Sequence, residues 1–277
     1  PRLPRDSHGS YSDHDALRNV DGALNVTRLA QRHGARLVMV SGFMLANEAH
    51  LAHLGINAEA HDRSNWRHVY KKAGAYEASK IEGALGSRTL AQREVLDYVE
   101  VQPGTVSGHS TTGALHPSQP LYMLINNVAS GRMALVPGSP GHWMPLVSVD
   151  ALAALIAVAA MAEKAPKRLI ALDPQTPPLM ELLTRVAKRL GRKPPKRHIP
   201  MHLLAWLLRI PGMQQLMNTP RETLHFLQTT RFDTRVTEEF RQTHDVEWPT
   251  ITDSIDATVD YWQHVESRPT QPQTTEQ

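Results

Sequence analysis

The strongest restriction on the fold comes from a short aliphatic run placed directly after a long amphipathic segment. Residues Asp15–His33 carry apolar side chains at helical spacing, and Gly34 follows as a C-terminal stop. Arg36–Val40 then supplies the continuous aliphatic run that a strand needs when both faces of a parallel sheet are covered. The two segments therefore predict a helix followed closely by a buried strand.

Helix and strand patterns alternate again along the chain. The predicted elements are, in chain order, the helix Ala75–Arg93, the strand Val95–Gln102, the helix Val149–Glu163 and the strand Arg168–Asp173. Residues 43–75 are polar and histidine-rich without a sustained period, which predicts a long loop with a short helix. The alternation indicates an α/β fold with a parallel sheet.

The composition excludes several classes of protein and site. Thirty Lys and Arg against 27 Asp and Glu leave a net charge of +3 over 277 residues, which argues against a dedicated nucleic-acid binder. The absence of cysteine excludes disulfides, thiolate zinc sites and cysteine nucleophiles. Acidic and histidine side chains crowd residues 48–68, but their spacing is not that of a metal site, so we predict none.

Four segments bear on membranes and location. Ala151–Ala162 falls short of the roughly 20 residues that cross a bilayer, so we predict no transmembrane helix. In the apolar segment 201–213, a packed helix is favoured over a surface for peripheral membrane contact. The basic cluster 188–198 is more typical of a solvated helix end, although its charge suits a phosphate or an anionic membrane. Pro1–Asp6 lacks the apolar stretch of a signal peptide, and we expect a cytoplasmic protein.

Tyr76 and Lys80 stand four residues apart and therefore share one face of the predicted helix. A fixed cation near a phenol favours the phenolate and lowers the pKa of the phenol, which makes a tyrosine usable as an acid and base near neutral pH. The preceding strand ends at Ser41, where doubly wound sheets place their substrate crevice. This pair is the candidate catalytic centre.

In this context the chain resembles the extended branch of the short-chain dehydrogenase/reductase superfamily. Five segments in a fixed order, within residues 15–173, carry the resemblance. They are Asn19–Val26 on the first helix, Val38–Ser41 at the end of the first strand, the Tyr76/Lys80 pair, Pro103–Gly108 after the second strand, and Leu146–Ala153. The resemblance implies a Rossmann-like doubly wound parallel sheet, of which the C-terminal half is present, with a smaller, mostly helical substrate lobe.

The resemblance also implies a nicotinamide-dependent mechanism with NAD or NADP. Tyr76 would exchange a proton with the substrate oxygen, and Lys80 would hold the cofactor ribose. Ser41 would hydrogen-bond the substrate carbonyl or alcohol, and Asn19 would support the site. The cofactor-binding residues implied are Tyr76, Lys80, Pro103, Gly104, Thr105 and Val106.

Two departures from the family pattern qualify this resemblance. The family commonly has a second hydroxyl residue directly after the first at the strand end, whereas this chain has Gly42. A dinucleotide site also needs a glycine-rich turn between the first strand and helix, and nothing before Asp15 resembles one. We therefore expect such a segment to precede Pro1 in the protein, and the choice between NAD and NADP depends on it.

The predicted domains follow from the same comparison. Residues 1–108, with 146–173 returning, are predicted to form the C-terminal part of a dinucleotide-binding domain. Residues 109–145 and 174–262, where prolines punctuate short helices, are predicted to form the substrate lobe. The polar segment 263–277 is predicted to be a disordered tail.

The predicted function is the NAD(P)-dependent interconversion of a carbonyl and an alcohol in a small-molecule substrate. Six aliphatic residues of the second lobe favour an apolar or bulky substrate; they are Leu121, Met123, Leu124, Met144, Leu203 and Leu204. Two alternatives stay open, a nucleotide-sugar epimerase or dehydratase of the same fold and a non-catalytic NAD(P)-binding sensor or scaffold. The resemblance also suggests a homodimer formed through the helices at 15–33 and 75–93.

Overall fold

The computed structural model of the chain describes residues 13–217, 224 and 226–266. The helices are α1 (Asp13–His33), α2 (Glu48–Leu54), α3 (Trp66–Ala73), α4 (Ala75–Arg93), α5 (Pro120–Ala129), α6 (Val149–Met161), α7 (Leu179–Arg189), α8 (Met201–Leu207), α9 (Met213–Met217), α10 (Arg235–Thr243) and α11 (Ile251–Glu266). The strands are β1 (Leu37–Val40), β2 (Tyr98–Pro103), β3 (Thr105–Ser107), β4 (Val136–Pro137), β5 (Leu146–Ser148), β6 (Arg168–Ala171) and β7 (His198–Ile199).

The chain divides into two compact units. Unit 1 contains the described residues up to Pro103, with Leu155–Ala171 and Phe232–Asp245. Unit 2 contains Gly104–Ala154, Leu172–Arg231 and the described residues from Val246 onward.

Unit 1 is built on a three-stranded parallel sheet in the order β1-β2-β6. Val38 pairs with Val99, and Val101 pairs with Leu169 on the other side of β2. The central strand is buried, as the sequence pattern of a parallel sheet requires. The predicted α/β class with a Rossmann-like parallel sheet is confirmed.

Helices α1 and α4 of unit 1 pack closely because glycines stand at their contact. A Cβ on Gly83 would lie 3.3 Å from the Cβ of Ala23, and a Cβ on Gly86 would lie 3.1 Å from a methyl carbon of Leu24. Helix α4 has the predicted bounds, Ala75–Arg93. The predicted second strand starts too early, because Val95 ends the helix in the left-handed region with φ 53° and lies in solvent.

The segment 43–75 is more structured than the predicted loop. It contains α2, α3 and two short 3₁₀ turns, at Phe43–Ala46 and His61–Arg63. Asparagine side chains start both α-helices, because Asn47 accepts from the backbone N–H of His50 and Asn65 from that of His68. Leu45, Leu51, Leu54 and Val69 of this segment form one core with Ile81 and Leu85 of α4. These helices are too short to show a sustained period in the sequence.

Unit 2 packs helices around two small parallel ladders. Strand β3 pairs with β5, and β4 pairs with β7. The core of the unit is formed by apolar side chains of α5, α7 and α11 together with Met144 and Leu146. Four of the six aliphatic residues that favour an apolar or bulky substrate are buried in the unit's own cores, and the nature of the substrate stays a prediction; they are Leu121, Leu124, Met144 and Leu204.

The compact units differ in detail from the predicted domains, which stay a prediction. Residues 146–154 belong to unit 2, and Phe232–Asp245 belongs to unit 1. Helix α11 continues through the start of the predicted disordered tail to Glu266, and the rest of that tail, 267–277, lies outside the described residues. Among the helices of the described residues, none has the length and apolar character needed to cross a bilayer.

Candidate functional site

Tyr76 and Lys80 lie in the first turns of α4. Gly74 separates α3 from α4 with φ 84°, a conformation that favours glycine, and lets the new helix start at Ala75. The opposite face of α4 is buried through Ala78 and Ile81, so the Tyr76 side chain stays 48% exposed and Lys80 is exposed too. Within the described residues, the Lys80 ammonium has no ion pair or hydrogen bond. An accessible phenol and an available cation therefore share this end of the helix.

Ser41 follows β1 and is bound to a fully buried carboxylate. Its hydroxyl donates to Glu100 Oε1 at 2.7 Å, and Gln102 Nε2 donates to the same oxygen at 2.9 Å. Arg88 Nε donates to the other oxygen, Oε2, at 2.9 Å, and Arg88 Nη2 lies 2.8 Å from it. The Glu100 side chain is 0% exposed, so these groups replace water around its charge.

This arrangement limits what Ser41 can do chemically. A serine hydroxyl has one proton to donate and two lone pairs to accept with. Ser41 uses its hydroxyl hydrogen in the hydrogen bond to Glu100. It can therefore accept a hydrogen bond from an alcohol, but it has no hydrogen left to donate to a carbonyl oxygen. The catalytic role of Ser41 stays a prediction, and this bond restricts it to accepting.

Gly42, the departure from the family pattern, lies in open space. Its backbone is extended, with φ 176°, which any residue adopts, and a Cβ there would meet nothing within 4 Å. The missing second hydroxyl is therefore not excluded by packing within the chain.

Asn19 lies on α1 at the contact with α4. Its backbone carbonyl would be 3.7 Å from a Cβ on Gly83, which stands three residues after Lys80. The side chain of Asn19 is half-buried. The structure thus places Asn19 on the helix that packs against the Tyr76/Lys80 helix, and its supporting role stays a prediction.

A pair that the sequence did not indicate stands next to Tyr76. His50 Nε2 of α2 and Glu77 Oε1 of α4 are 2.5 Å apart, with side chains 17% and 15% exposed. The two residues are 27 positions apart, so no local spacing could have signalled the contact. Among the residues that the structure describes, no three His, Asp or Glu side chains come together as a metal site would require.

The predicted cofactor segment lies at the end of β2 and in β3. Pro103 is the last residue of β2, and a Cβ on Gly104 would lie 2.8 Å from the carbonyl oxygen of Pro145, a contact that only glycine permits. The N–H of Thr105 donates to that carbonyl at 2.7 Å. The Thr105 hydroxyl is buried without a hydrogen-bond partner among the described residues, and Val106 is half-buried. An unsatisfied buried hydroxyl at this position fits a segment that contacts a polar ligand.

Asp150 and Ser110 form a second polar contact in unit 2. The Ser110 hydroxyl and backbone N–H donate to the two carboxylate oxygens of Asp150, at 2.5 and 2.9 Å. Burial acts to raise the pKa of Asp150, but the hydrogen bonds from Ser110 outweigh it and hold this pKa below its ordinary value. Asp150 thereby ties the loop after β3 to the first turn of α6.

Solved structures with the same fold are NAD-related enzymes and reductase domains. The aureusimine biosynthetic cluster reductase domain is 20% identical, with 93% of this chain and 68% of that chain covered and a TM-score of 0.61. The terminal R domain from the myxalamid PKS-NRPS pathway is 16% identical over 69% of this chain, with a TM-score of 0.53, and the match spans 50% of that domain. A dTDP-glucose 4,6-dehydratase from Bacillus anthracis, in complex with NAD, is 14% identical, with 93% and 71% covered and a TM-score of 0.57.

At these identities the structural likeness establishes the fold. Among curated protein sequences, none is significantly similar to this chain. The family described as male sterility protein, an NAD-binding family, matches residues 9–156, which is more than half of the chain. The match confirms the predicted superfamily and the predicted nicotinamide dinucleotide cofactor. This chain belongs to the male sterility protein family of NAD-binding proteins, within the extended short-chain dehydrogenase/reductase superfamily.

Proposed function

We propose that the protein is an NAD(P)-dependent oxidoreductase that interconverts a carbonyl and an alcohol. The observation that carries the proposal is the exposed Tyr76 phenol on the same end of α4 as Lys80, whose exposed ammonium has no partner among the described residues. A tyrosine hydroxyl beside a fixed cation is a suitable proton donor and acceptor for an oxygen that changes between carbonyl and alcohol.

In this proposal the chain's own residues move one proton and orient the reacting groups. Tyr76 gives its hydroxyl proton to the carbonyl oxygen in reduction and takes it back in oxidation. Lys80, one helical turn after Tyr76, is available for a ribose hydroxyl of the cofactor. Ser41, whose proton is donated to Glu100, accepts a hydrogen bond from the alcohol form.

The residues present fit the nicotinamide end of the cofactor. The Thr105 hydroxyl, next to Gly104, is buried without a hydrogen-bond partner among the described residues, as a group that meets a polar ligand would be. We propose that Pro103, Gly104, Thr105 and Val106 contact the nicotinamide and that Lys80 contacts its ribose. When bound, the cofactor supplies or accepts the hydride.

The test is a comparison of turnover and cofactor binding in the full-length protein. Absorbance of reduced nicotinamide is followed with NADH and NADPH over a panel of aldehydes, ketones and thioesters. We expect Tyr76→Phe to lower kcat by at least about 100-fold, which is the usual contribution of a general acid, while cofactor affinity is kept. Tyr261→Phe, in α11, is the matched control. Turnover that Tyr76→Phe leaves unchanged would refute this mechanism.

A non-catalytic NAD(P)-binding sensor is the second candidate, and the Ser41–Glu100 bond with Gly42 favours it. The Ser41 hydroxyl already donates its hydrogen bond to Glu100, and the next residue, Gly42, supplies no second hydroxyl. A protein that binds NADH or NADPH tightly, yet turns over no member of the panel, would be assigned to this class.

Gly42→Ser separates the two candidates further. The position is extended and open, so the added hydroxyl costs no packing. If the protein is an oxidoreductase, we expect the new donor to raise kcat by at least roughly tenfold, because one well-placed donor contributes that much or more. Gly141→Ser, also at an open position, is the control. An unchanged rate in Gly42→Ser would contradict the assignment of this strand end to the reacting oxygen.

A further inference from the structure

A cationic pocket in unit 2 has no role in the proposed reaction. It is a cavity of about 490 Å³ between the end of α5 and the loop that follows α7. Its rim contains four exposed cations, Arg192, Lys193, Lys196 and Arg197, and its apolar lining includes Leu135. Within the described residues, none of the four cationic side chains has an ion pair or a hydrogen bond.

The local sequence gives these charges no acidic partner. Between Glu181 and Glu222 the chain contains no Asp or Glu, and residues 126–137, which contribute the other wall, contain none either. Two arginines that lie just before this cluster are neutralised: Arg185 and Arg189 of α7 bind carboxylates of α11. The cationic pocket therefore keeps a net positive charge that favours a polyanionic partner.

An exposed apolar face lies one short strand away. Arg197 directly precedes β7, and α8 begins two residues after β7 ends. Leu204 and Leu208 pack into the core with Ile199. On the outer side of α8, Leu203 and Trp206 are 42% and 57% exposed, three residues apart and hence on one helical face. Ile210, in the turn that follows the helix, is 38% exposed and completes what we call the α8 face. Strand β7 has two residues, so this α8 face and the cationic pocket are separated by roughly 10–15 Å along the chain.

We propose that this part of unit 2, the cationic pocket with the α8 face, docks on the surface of an anionic lipid bilayer. Lys and Arg side chains are attracted to anionic headgroups, and exposed tryptophan and aliphatic side chains enter the boundary between headgroups and acyl chains. A nucleic acid would satisfy the cations but would leave Leu203 and Ile210 in water. The combination of unpaired cations with exposed aliphatic side chains is what favours a bilayer.

The charge half of the proposal is tested by sedimentation of the full chain with lipid vesicles. We expect binding to vesicles of phosphatidylcholine mixed with phosphatidylserine, little binding to phosphatidylcholine alone, and release by salt. Lys193→Ala with Lys196→Ala should weaken the partition coefficient roughly 30-fold, on the basis of the typical contribution of each lysine. Lys164→Ala with Lys167→Ala, two exposed lysines of unit 1, is the matched control and should bind as the wild type does.

The apolar half is tested by Trp206→Ser, with Met161→Ser as the control at another exposed apolar side chain. We expect Trp206→Ser to weaken binding to the mixed vesicles several-fold. We also expect brominated lipids to quench the tryptophan fluorescence of the wild type more than that of Trp206→Phe. The proposal is overturned if the wild type does not sediment with the mixed vesicles at low salt, or if the lysine variant binds unchanged. It is also overturned if Trp206→Ser is neutral and a DNA duplex displaces the vesicles, which would make the pocket a nucleic-acid site.

Discussion

Both units contain arginine–carboxylate pairs, but the pairs differ in their access to water. In unit 1, Arg88 is 15% exposed and its partner Glu100 is 0% exposed. In unit 2, Arg185 pairs with Asp256 and Arg189 with Asp260, and these four side chains are 22–52% exposed. Arg185 binds both oxygens of Asp256, at 2.6 and 2.9 Å, so the geometry is as good as in unit 1.

The difference shows that burial, more than geometry, determines how much stability is lost when one partner of a pair is removed. Water can replace either partner of the α7–α11 pairs when one is removed. The Glu100 carboxylate is closed off from bulk water, and its partners are Arg88, Ser41 and Gln102. Removing one partner there leaves a charge inside the protein, which is far more costly.

The largest expected effect is therefore that of Arg88→Ala. We expect it to lower the free energy of unfolding by about 3–5 kcal/mol, because it leaves the buried Glu100 carboxylate uncompensated. The measurement is urea unfolding followed by circular dichroism. Arg93→Ala, at the exposed end of the same helix, is the control.

If Arg88→Ala does not fold, the double variant Arg88→Met with Glu100→Gln keeps the comparison testable. It removes both charges and should recover much of the lost stability. Equal stability of Arg88→Ala and Arg93→Ala would contradict the view that the buried pair supports unit 1.

A smaller effect is expected from Asp256→Asn, which weakens the contacts of α11 with Arg185 and Arg189. Because these side chains are partly exposed, we expect a loss of about 1 kcal/mol or less, and the loss should shrink in high salt. Unfolding in urea at low and high salt measures both. Asp62→Asn, at an exposed residue of unit 1, serves as the control. A loss of stability in Asp256→Asn that is larger than this and independent of salt would show that the Asp256 pairs behave as buried ones.

The smallest effect concerns acid pH. The hydrogen bonds from Arg189 hold the pKa of Asp260 below its ordinary value. A carboxyl whose pKa is lower in the folded state stabilises the fold above its ordinary pKa of about 3.9, and this stabilisation is lost as the pH falls through the folded value. The difference in melting temperature between wild type and Asp260→Asn should thus be present at neutral pH and vanish at acid pH. A difference that grows on acidification would reverse the sign we assign.

Local patterns in the sequence were sufficient for the elements that carry the candidate site. Helix α4 has the predicted bounds, and β1 begins one residue later than predicted. Long helices and continuous aliphatic runs repeat a signal over many residues, so single exceptions do not hide them. The helices of 43–75 are too short for such a signal, and a left-handed residue at Val95 delays β2.

The contacts that decide the chemistry join distant parts of the chain. Ser41 and Glu100 are 59 positions apart, and His50 and Glu77 are 27 apart. Long-range packing also buries Leu121, Leu124, Met144 and Leu204 in the cores of unit 2. A composition or spacing argument shows that a side chain is apolar or acidic, but not which neighbour it meets.

The amino-acid sequence thus determines the α/β class, the order of helices and strands, and the Tyr76/Lys80 pair, because each rests on spacing within one element. The fold decides that the Ser41 hydroxyl donates a hydrogen bond to Glu100 and that Gly42 lies in open space. It also decides that the cations after α7 have no partner among the described residues. Those outcomes depend on packing between elements, where burial removes water and sets which polar groups must satisfy one another.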